Sequence, residues 1–397
     1  MSTREALLAV IVAFAVGLLV AGSLPRWSGL GARGTDAEAG ASARSEGRTG
    51  SPVRPEAAAV RWRVSSAFGT HLPGLGENVV EVARRLAVAS DGAIEWTVDD
   101  PDEVVPAFAI VEAVSRGKIA AGYTWLGYEE GRLPASVLFG AVPFGMTPWE
   151  YTAWWQSGGG RELAREIYRP LGVEPILCGL IGPETAGWFR EAIETPEDLR
   201  GLKIRFAGLG GQALQSLGAS VTMLPGGELF QALEKGAIDA TEFSLPEVDV
   251  RLGFDRVAKF NYFPGWHQPF TAFHLVVNRR IWEDLPPATR ELVELACGDG
   301  VQRNFARVEA AQGAVLARFE RDGVTTRTLS PALLAAIEAA VARILDEAAA
   351  KDPLFARILA HQRAFHADYD RWQRLAYPAR STEPGPPRET AEGGDGD

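Results

Sequence analysis

Cysteine is nearly absent from this chain: Cys178 and Cys297 are the only two among 397 residues. No Cys-x-x-Cys and no other metal-ligand spacing occurs. Both thiols sit in apolar stretches and read first as buried thiols. Sequence supplies no distance between them, so a disulfide stays open. Histidine is also scarce, at five. His361 and His366, five residues apart, fall off a common helical face. There is no Gly-x-Ser-x-Gly, His-Glu-x-x-His or Walker A motif, so hydrolase and zinc-enzyme readings lack their required groups. Positive charge is in short supply as well: 40 Lys and Arg stand against 51 Asp and Glu, a net charge of −11. Phosphate neutralisation needs clustered cations, so no nucleic-acid partner is expected.

What is present is an ordinary globular composition, 46% hydrophobic and 23% charged, in a chain long enough for two cores. The N-terminus is an address. Arg4 precedes the uncharged run Ala6–Leu24, and Arg26 follows. That run approaches the roughly 20 residues of a membrane-spanning helix. Val20-Ala21-Gly22 offers small residues for cleavage, and no cysteine follows that could carry a lipid. Residues 1–28 therefore read as a cleaved signal peptide or a retained anchor, and both place the remainder outside the cytoplasm, in the periplasm. Residues 29–58, rich in Gly, Ala, Ser, Arg and Pro, cannot bury enough surface to offset ordering and read as a flexible tether. The tail 378–397 reads the same way, leaving 59–377 as the folded region.

Within it, short β runs alternate with amphipathic helices. Strands are expected at Val60–Ser66, Ile94–Val98, Ala120–Trp125, Glu174–Leu180, Leu202–Phe206 and Ala272–Asn278, with helices at Gly76–Ala89, Ala109–Arg116 and Glu228–Lys235. This rhythm argues for a parallel, helix-covered sheet. Thr195-Pro196-Glu197-Asp198 carries a helix start: a Thr cap, Pro at the first position, acids in the first turn. After Pro287 the chain is mainly helical. Pro287–Arg321 is expected to be interrupted near Gly298-Asp299-Gly300, and further helices run from Ser330-Pro331 to Lys351 and from Leu354 to Arg374. Such long helices can lie across two lobes or reach a partner subunit.

Four segments could carry chemistry. Arg205 falls near the carboxyl end of a strand, where open α/β sheets bind ligands, and a guanidinium there offers a planar fork to a carboxylate. Glu242-Phe243 ends the apolar stretch Ile238–Thr241, where an acid can bind a metal through oxygen. Gly182-Pro183-Glu184-Thr185-Ala186-Gly187-Trp188-Phe189 brackets an acid with glycines, and Phe263-Pro264-Gly265-Trp266-His267-Gln268 is an aromatic turn with polar tips. Each has a plainer reading: a structural ion pair for Arg205, a surface acid for Glu242, core packing for Trp188, a satisfied polar residue for His267. A fifth segment, Gly208-Leu209-Gly210-Gly211-Gln212-Ala213, fits the dinucleotide pattern G-x-G-x-x-A, but it lies mid-chain. Its glycines more simply let a helix N-terminus approach an anion.

Taken together, three stretches resemble the solute-binding proteins of TRAP (tripartite ATP-independent periplasmic) transporters, in the branch that binds 2-oxo and 2-hydroxy monocarboxylates. They are Gly187-Trp188-Phe189-Arg190 with Thr195–Arg205, then Ala232–Glu242, then Leu252-Gly253-Phe254 through Tyr262-Phe263-Pro264-Gly265-Trp266. The similarity runs from about Val60 to about Trp372. It implies an α/β, two-lobed periplasmic-binding-protein fold with a hinge and long C-terminal helices, and a binder rather than an enzyme. It implies that Arg205 holds the carboxylate and that a cation, Na⁺ or Ca²⁺, bridges ligand and protein through Glu242, the Phe243 carbonyl and the side chain of residue 184. That position looks to be glutamine in the branch, and Glu184 departs from it. Gln268 or His267 would complete the shell, and Tyr123, Trp125, Trp188 and Trp266 would line the pocket. Membrane subunits of the transporter are the implied partners, with a homodimer through the C-terminal helices. The rival readings are a nucleotide-dependent extracytoplasmic oxidoreductase using residues 208–213 and a membrane-tethered carboxylate sensor.

Overall fold

The computed structural model describes residues 60–378. The expected signal or anchor, the tether and all of the tail but Pro378 lie outside the described residues. The strands are β1 (Val60–Ser66), β2 (Ile94–Asp99), β3 (Ala121–Trp125), β4 (Val173–Ile181), β5 (Gly187–Phe189), β6 (Lys203–Arg205), β7 (Ser220–Thr222), β8 (Ala240–Thr241), β9 (Phe260–Phe263), β10 (Thr271–Asn278) and β11 (Thr325–Thr328). Five helices position the site: α1 (Gly76–Ala89), α2 (Gly208–Ser216), α3 (Pro287–Arg321), α4 (Pro331–Lys351) and α5 (Pro353–Ala376).

The strands divide into two sheets, one per lobe, ordered β2-β1-β3-β10-β4 and β11-β9-β5-β8-β6-β7. Both are mixed, which corrects the expectation of a parallel sheet. The pairs β1–β2, β1–β3, β6–β7, β6–β8 and β9–β11 are parallel, whereas β10 runs antiparallel to β3 and β4, and β5 antiparallel to β8 and β9. The local rhythm of strand and helix misses this because β10 enters the first sheet from the other lobe. The chain leaves the first lobe between β4 and β5, through residues 182–186, and returns between β9 and β10, through residues 264–270. Glu184, His267 and Gln268 all ride on these two crossovers.

The third passage is α3, whose 35 residues span about 50 Å. It packs on β4 and α1 at one end and approaches β11 at the other. It is continuous, against the expected break at Gly298-Asp299-Gly300. The reason lies at Gly300, where a Cβ would meet Val82 Cγ2 at 2.6 Å and the Cys178 carbonyl at 2.9 Å. Glycine here lets the helix close on β4, and that contact offsets the ~1 kcal/mol a helical glycine costs. One turn earlier Cys297 forms a disulfide with Cys178 of β4, so the cysteines are bonded rather than free thiols. A loop closed over a separation of 119 residues puts the crosslink at the upper end of the usual range, about 4–5 kcal/mol from chain entropy. The C-terminal pair also bridges the lobes: α4 packs on α2, and α5 packs on the first lobe, where Gln362 donates to the Leu138 carbonyl.

One buried group in the first sheet sets an acid limit on stability. His274 of β10 is fully buried and packs against Trp155 at 4.9 Å. Burial pushes its imidazole down from 6.5 to about 3. Above pH 6.5 it is neutral folded or unfolded and contributes nothing to pH dependence. Below pH 6.5 the unfolded chain takes up a proton that the folded chain refuses, so stability falls by up to ~1.4 kcal/mol per pH unit. His274→Phe is expected to recover about 2 kcal/mol at pH 5 relative to pH 7, measured as the change in urea midpoint. A parallel pH dependence in the two proteins would contradict this assignment.

Candidate carboxylate and cation site

Arg205 ends β6, with Ile204 turned into the core on the opposite face, and its side chain is only 2% exposed. Its Nη1 donates to both the backbone carbonyl and the Oε2 of Glu242, each at 2.6 Å, and its Nε donates to the Leu224 carbonyl at 3.2 Å. Glu242 follows β8, the neighbour of β6. Its other carboxylate oxygen accepts from the Ala207 amide at 2.7 Å, the residue before α2. The Phe243 ring lies 5.3 Å from the guanidinium, within cation–π range. A planar, multiply bonded cation is thus held at the mouth of a strand with one carboxylate as its counter-ion.

Glu184 faces this pair from its crossover and is buried. Oε1 accepts from Thr271 Oγ1 at 2.7 Å, Oε2 accepts from Gln268 Nε2 at 2.8 Å, and His267 Nε2 stands 3.4 Å from Oε2. Its carboxyl is raised above the usual range, first by burial and further by Glu242, against the lowering influence of His267 and Thr271. One ligand atom from each of Glu184, Glu242 and His267 lies within 4.8 Å of the others. Glu184, Arg205, Glu242, Phe243 and Gln268 border a cavity of only about 20 Å³, closed on the first-lobe side by Phe68, Leu75, Trp125, Tyr128 and Phe273. That is room for about one water molecule, with polar groups on one wall and apolar groups on the other.

Of the aromatic residues expected around it, Trp125 borders the cavity and three do not. Tyr123 turns into the first-lobe core, where its hydroxyl takes a hydrogen bond from Asn78 at 2.9 Å and its ring meets Phe68 and Phe273. Trp188 donates from Nε1 to Asp249 at 2.8 Å and packs edge-on to Phe319 of α3. Trp266 is stacked between Phe206 and Phe144 at 5.5 and 5.8 Å, one layer behind the wall. The plainer reading of Trp188 as a core residue is the one the packing follows. Tyr128 was not singled out from sequence, yet its hydroxyl meets Arg205 from the opposite lobe, and burial pushes its phenol up. Its signal was position: it follows the carboxyl end of β3 by three residues.

The glycines of residues 208–213 have a packing role. Gly208 has φ of +56° and would place a Cβ 3.0 Å from the Trp125 ring, and a Cβ on Gly210 would lie 2.5 Å from Phe206 and 2.8 Å from His267. They bring α2 against the aromatic wall and the crossover, and Gln212 of α2 hydrogen-bonds Glu130 of the first lobe.

The family model described as bacterial extracellular solute-binding protein, family 7, matches residues 73–352. The chain belongs to that family. It is a TRAP solute-binding protein. A monocarboxylate 2-oxoacid-binding periplasmic protein of Nostoc sp. is 33% identical over 316 residues, covering 80% of this chain and 86% of the relative. The crystal structure of a TRAP solute-binding protein from Bordetella bronchiseptica, a mixed-occupancy dimer with calcium and picolinate in one site, superposes with a TM-score of 0.79 at 31% identity, covering 80% of this chain and 95% of that one. Another from Pseudoalteromonas atlantica, with bound sodium and pyruvate, gives a TM-score of 0.77 at 32% identity, covering 80% and 97%. The two-lobed fold is therefore shared with solved relatives. TRAP solute-binding proteins are periplasmic and serve transporters rather than catalysis, and these findings support neither the oxidoreductase nor the sensor reading.

Proposed function

We propose that this TRAP solute-binding protein captures a short 2-oxo or 2-hydroxy monocarboxylate together with a cation, and presents the closed complex to its membrane subunits without bond chemistry. Arg205 would hold the ligand carboxylate, with Tyr128 and Trp125 closing over it. Glu184, Glu242, the Phe243 carbonyl and Gln268 would hold the cation. The observation that carries the reading is the buried Arg205–Glu242 ion pair on the wall of a small cavity shared by both lobes. An incoming carboxylate can take the place of Glu242 on the guanidinium, and the released Glu242 then needs a cation.

The donor set fits an ion of higher charge than sodium. Burial raises the carboxyl of nearby Asp249 well above the usual range. Around a bound ion that holds both carboxylates ionised, Glu184 and Glu242 would bring two negative charges, Arg205 one positive and the ligand one negative, so neutrality in a desolvated site calls for a divalent ion. With glutamine at 184 a monovalent ion would suffice. The bound ion would supply a hard point charge to the ligand's carboxylate and adjacent oxygen. The experiment is a thermal-shift panel of 2-oxo and 2-hydroxy acids run with Na⁺, with Ca²⁺ or with chelator. Stabilisation by pyruvate-sized acids, larger with the dication, is expected; no shift with any acid would sink the reading. A homodimer through the C-terminal helices is proposed with it. Trp372, Leu375 and Tyr377 at the end of α5 are exposed, and burying them would favour pairing. Light scattering at micromolar concentration should give the mass of two chains, and a monomer mass would reject it.

A further inference from the structure

The serine two residues past Glu242 is held at both of its backbone groups and left free at its hydroxyl. Ser244 is 1% exposed and borders the cleft cavity beside Arg205, Glu242 and Phe243. Its carbonyl accepts from the Thr185 amide of the first crossover at 3.1 Å. Its amide donates to the carboxyl of Asp249 in the helix Pro246–Leu252. The residue is thereby fixed from two directions, yet its Oγ makes no hydrogen bond with the protein, a costly state for a buried hydroxyl. The charged and amide side chains on this wall are already engaged: Arg205 with Glu242, and Glu184 with Gln268 and Thr271. The Trp125 indole also lacks a partner, but its Nε1 abuts Gly140, which does not border the cavity.

We propose that Ser244 binds the oxygen on C2 of the ligand, donating to the carbonyl of a 2-oxo acid and accepting from the hydroxyl of a 2-hydroxy acid. This rests on the reading of the cleft as a carboxylate and cation site and adds a residue that sets its specificity. A serine hydroxyl carries one donor and two acceptor lone pairs and rotates to suit its partner, so one residue serves both oxidation states. Arg205 and Ser244 stand on the same wall, and a carboxylate on the guanidinium carries its C2 substituent one bond away. Glu242, Phe243 and Ser244 are consecutive, so a cation held by the first two meets one lone pair of the C2 oxygen and the hydroxyl meets the other. An acid with only hydrogen on C2 leaves the hydroxyl unserved in a desolvated site, which is how a buried polar group rejects an analogue lacking its partner. In the unliganded cleft the ~20 Å³ cavity has room for about one water on that hydroxyl, and the C2 oxygen takes its place.

The test compares the full chain with its Ser244→Ala variant, a change that removes one oxygen and adds no bulk. Both are titrated calorimetrically with pyruvate and lactate in the presence of Ca²⁺, and propionate is read by its displacement of pyruvate. The wild type is expected to bind pyruvate and lactate at least ~10-fold more tightly than propionate. Ser244→Ala should weaken pyruvate and lactate each by about 5–10-fold and leave propionate within about twofold. The infrared carbonyl stretch of bound pyruvate, labelled with ¹³C at C2, should move to higher frequency in the variant as a hydrogen bond is lost. Equal losses for all three acids, no loss for any, or an unmoved carbonyl band overturns the proposal. Weaker Ca²⁺ binding by Ser244→Ala without any acid also overturns it, because the hydroxyl would then be a ligand of the ion. Should Ser244→Ala fail to fold, Ser244→Cys takes its place: a thiol is a weak donor, and the same selective loss is expected. Failure of the underlying reading looks different. Neither pyruvate nor lactate would then bind either protein, whereas failure of this inference alone leaves pyruvate binding in place without the selective loss.

Discussion

Arg205→Lys is expected to weaken carboxylate binding by about 30- to 1,000-fold, or ~2–4 kcal/mol. Three features of the native arrangement make the change severe although the charge is kept. The guanidinium uses Nη1 for two acceptors on Glu242 and Nε for the Leu224 carbonyl. A lysine ammonium on a shorter, unforked head cannot satisfy both directions. The flat face against Phe243 is lost with the fork. The side chain is buried, so water cannot fill in for the missing donors, and Glu242 is left partly uncompensated. Calorimetry with pyruvate, alongside a melting curve to establish folding, measures the effect. A folded variant with undiminished affinity would remove Arg205 from the ligand site.

Glu184→Gln should change the ion requirement rather than simply weaken binding. The substitution removes one of two negative charges from a desolvated cluster while keeping the side chain's length and one acceptor for Thr271 Oγ1. Dication affinity is expected to fall by about 100-fold, or ~3 kcal/mol, and Na⁺ alone should then support pyruvate binding. Removing the charge also lightens the electrostatic load on Glu242, which raises the Glu184 carboxyl in the native protein. The measurement is the pyruvate dissociation constant with Na⁺ or with a dication, in wild type and variant. If both proteins show the same ion dependence, the charge at residue 184 does not select the ion.

Both substitutions fall on residues that could be named before any coordinates, and the physical reason is local. Arg205 and Glu242 are polar side chains placed where apolar strand segments end, a position readable from the order of residue types along a few residues of chain. The same locality made β1 and α1 legible to the residue, because the exposed and buried alternation of Val60–Ser66 and the turn Asp91-Gly92 beyond Gly76–Ala89 are short-range signals. Family spacing then joined Glu184 to the other two, which no local pattern could have done.

The aromatic wall was not legible in the same way. Trp188 and Tyr123 had the right residue type and the right neighbourhood in sequence, but a side chain's direction depends on which sheet face meets which partner. Trp188 is claimed by Asp249 and Phe319, and Tyr123 by Asn78, residues far away along the chain. Tyr128, less conspicuous in sequence, reaches Arg205 because the lobes close over one another.

The sequence by itself determined the two-lobed α/β class, the polar residues that make the cleft chemically distinct, and the charge at position 184 that bears on the ion. Tertiary structure alone decided that the two sheets are mixed, that Cys178 and Cys297 are joined, that α3 runs unbroken, and that His267 lies beside Glu184 and Glu242. Those facts depend on contacts between segments far apart along the chain, such as Trp125 with Phe273 in the first sheet and the two cysteines, 119 residues apart. Residue type and spacing record what a segment can do, and only the packing of distant segments fixes which of those possibilities is used.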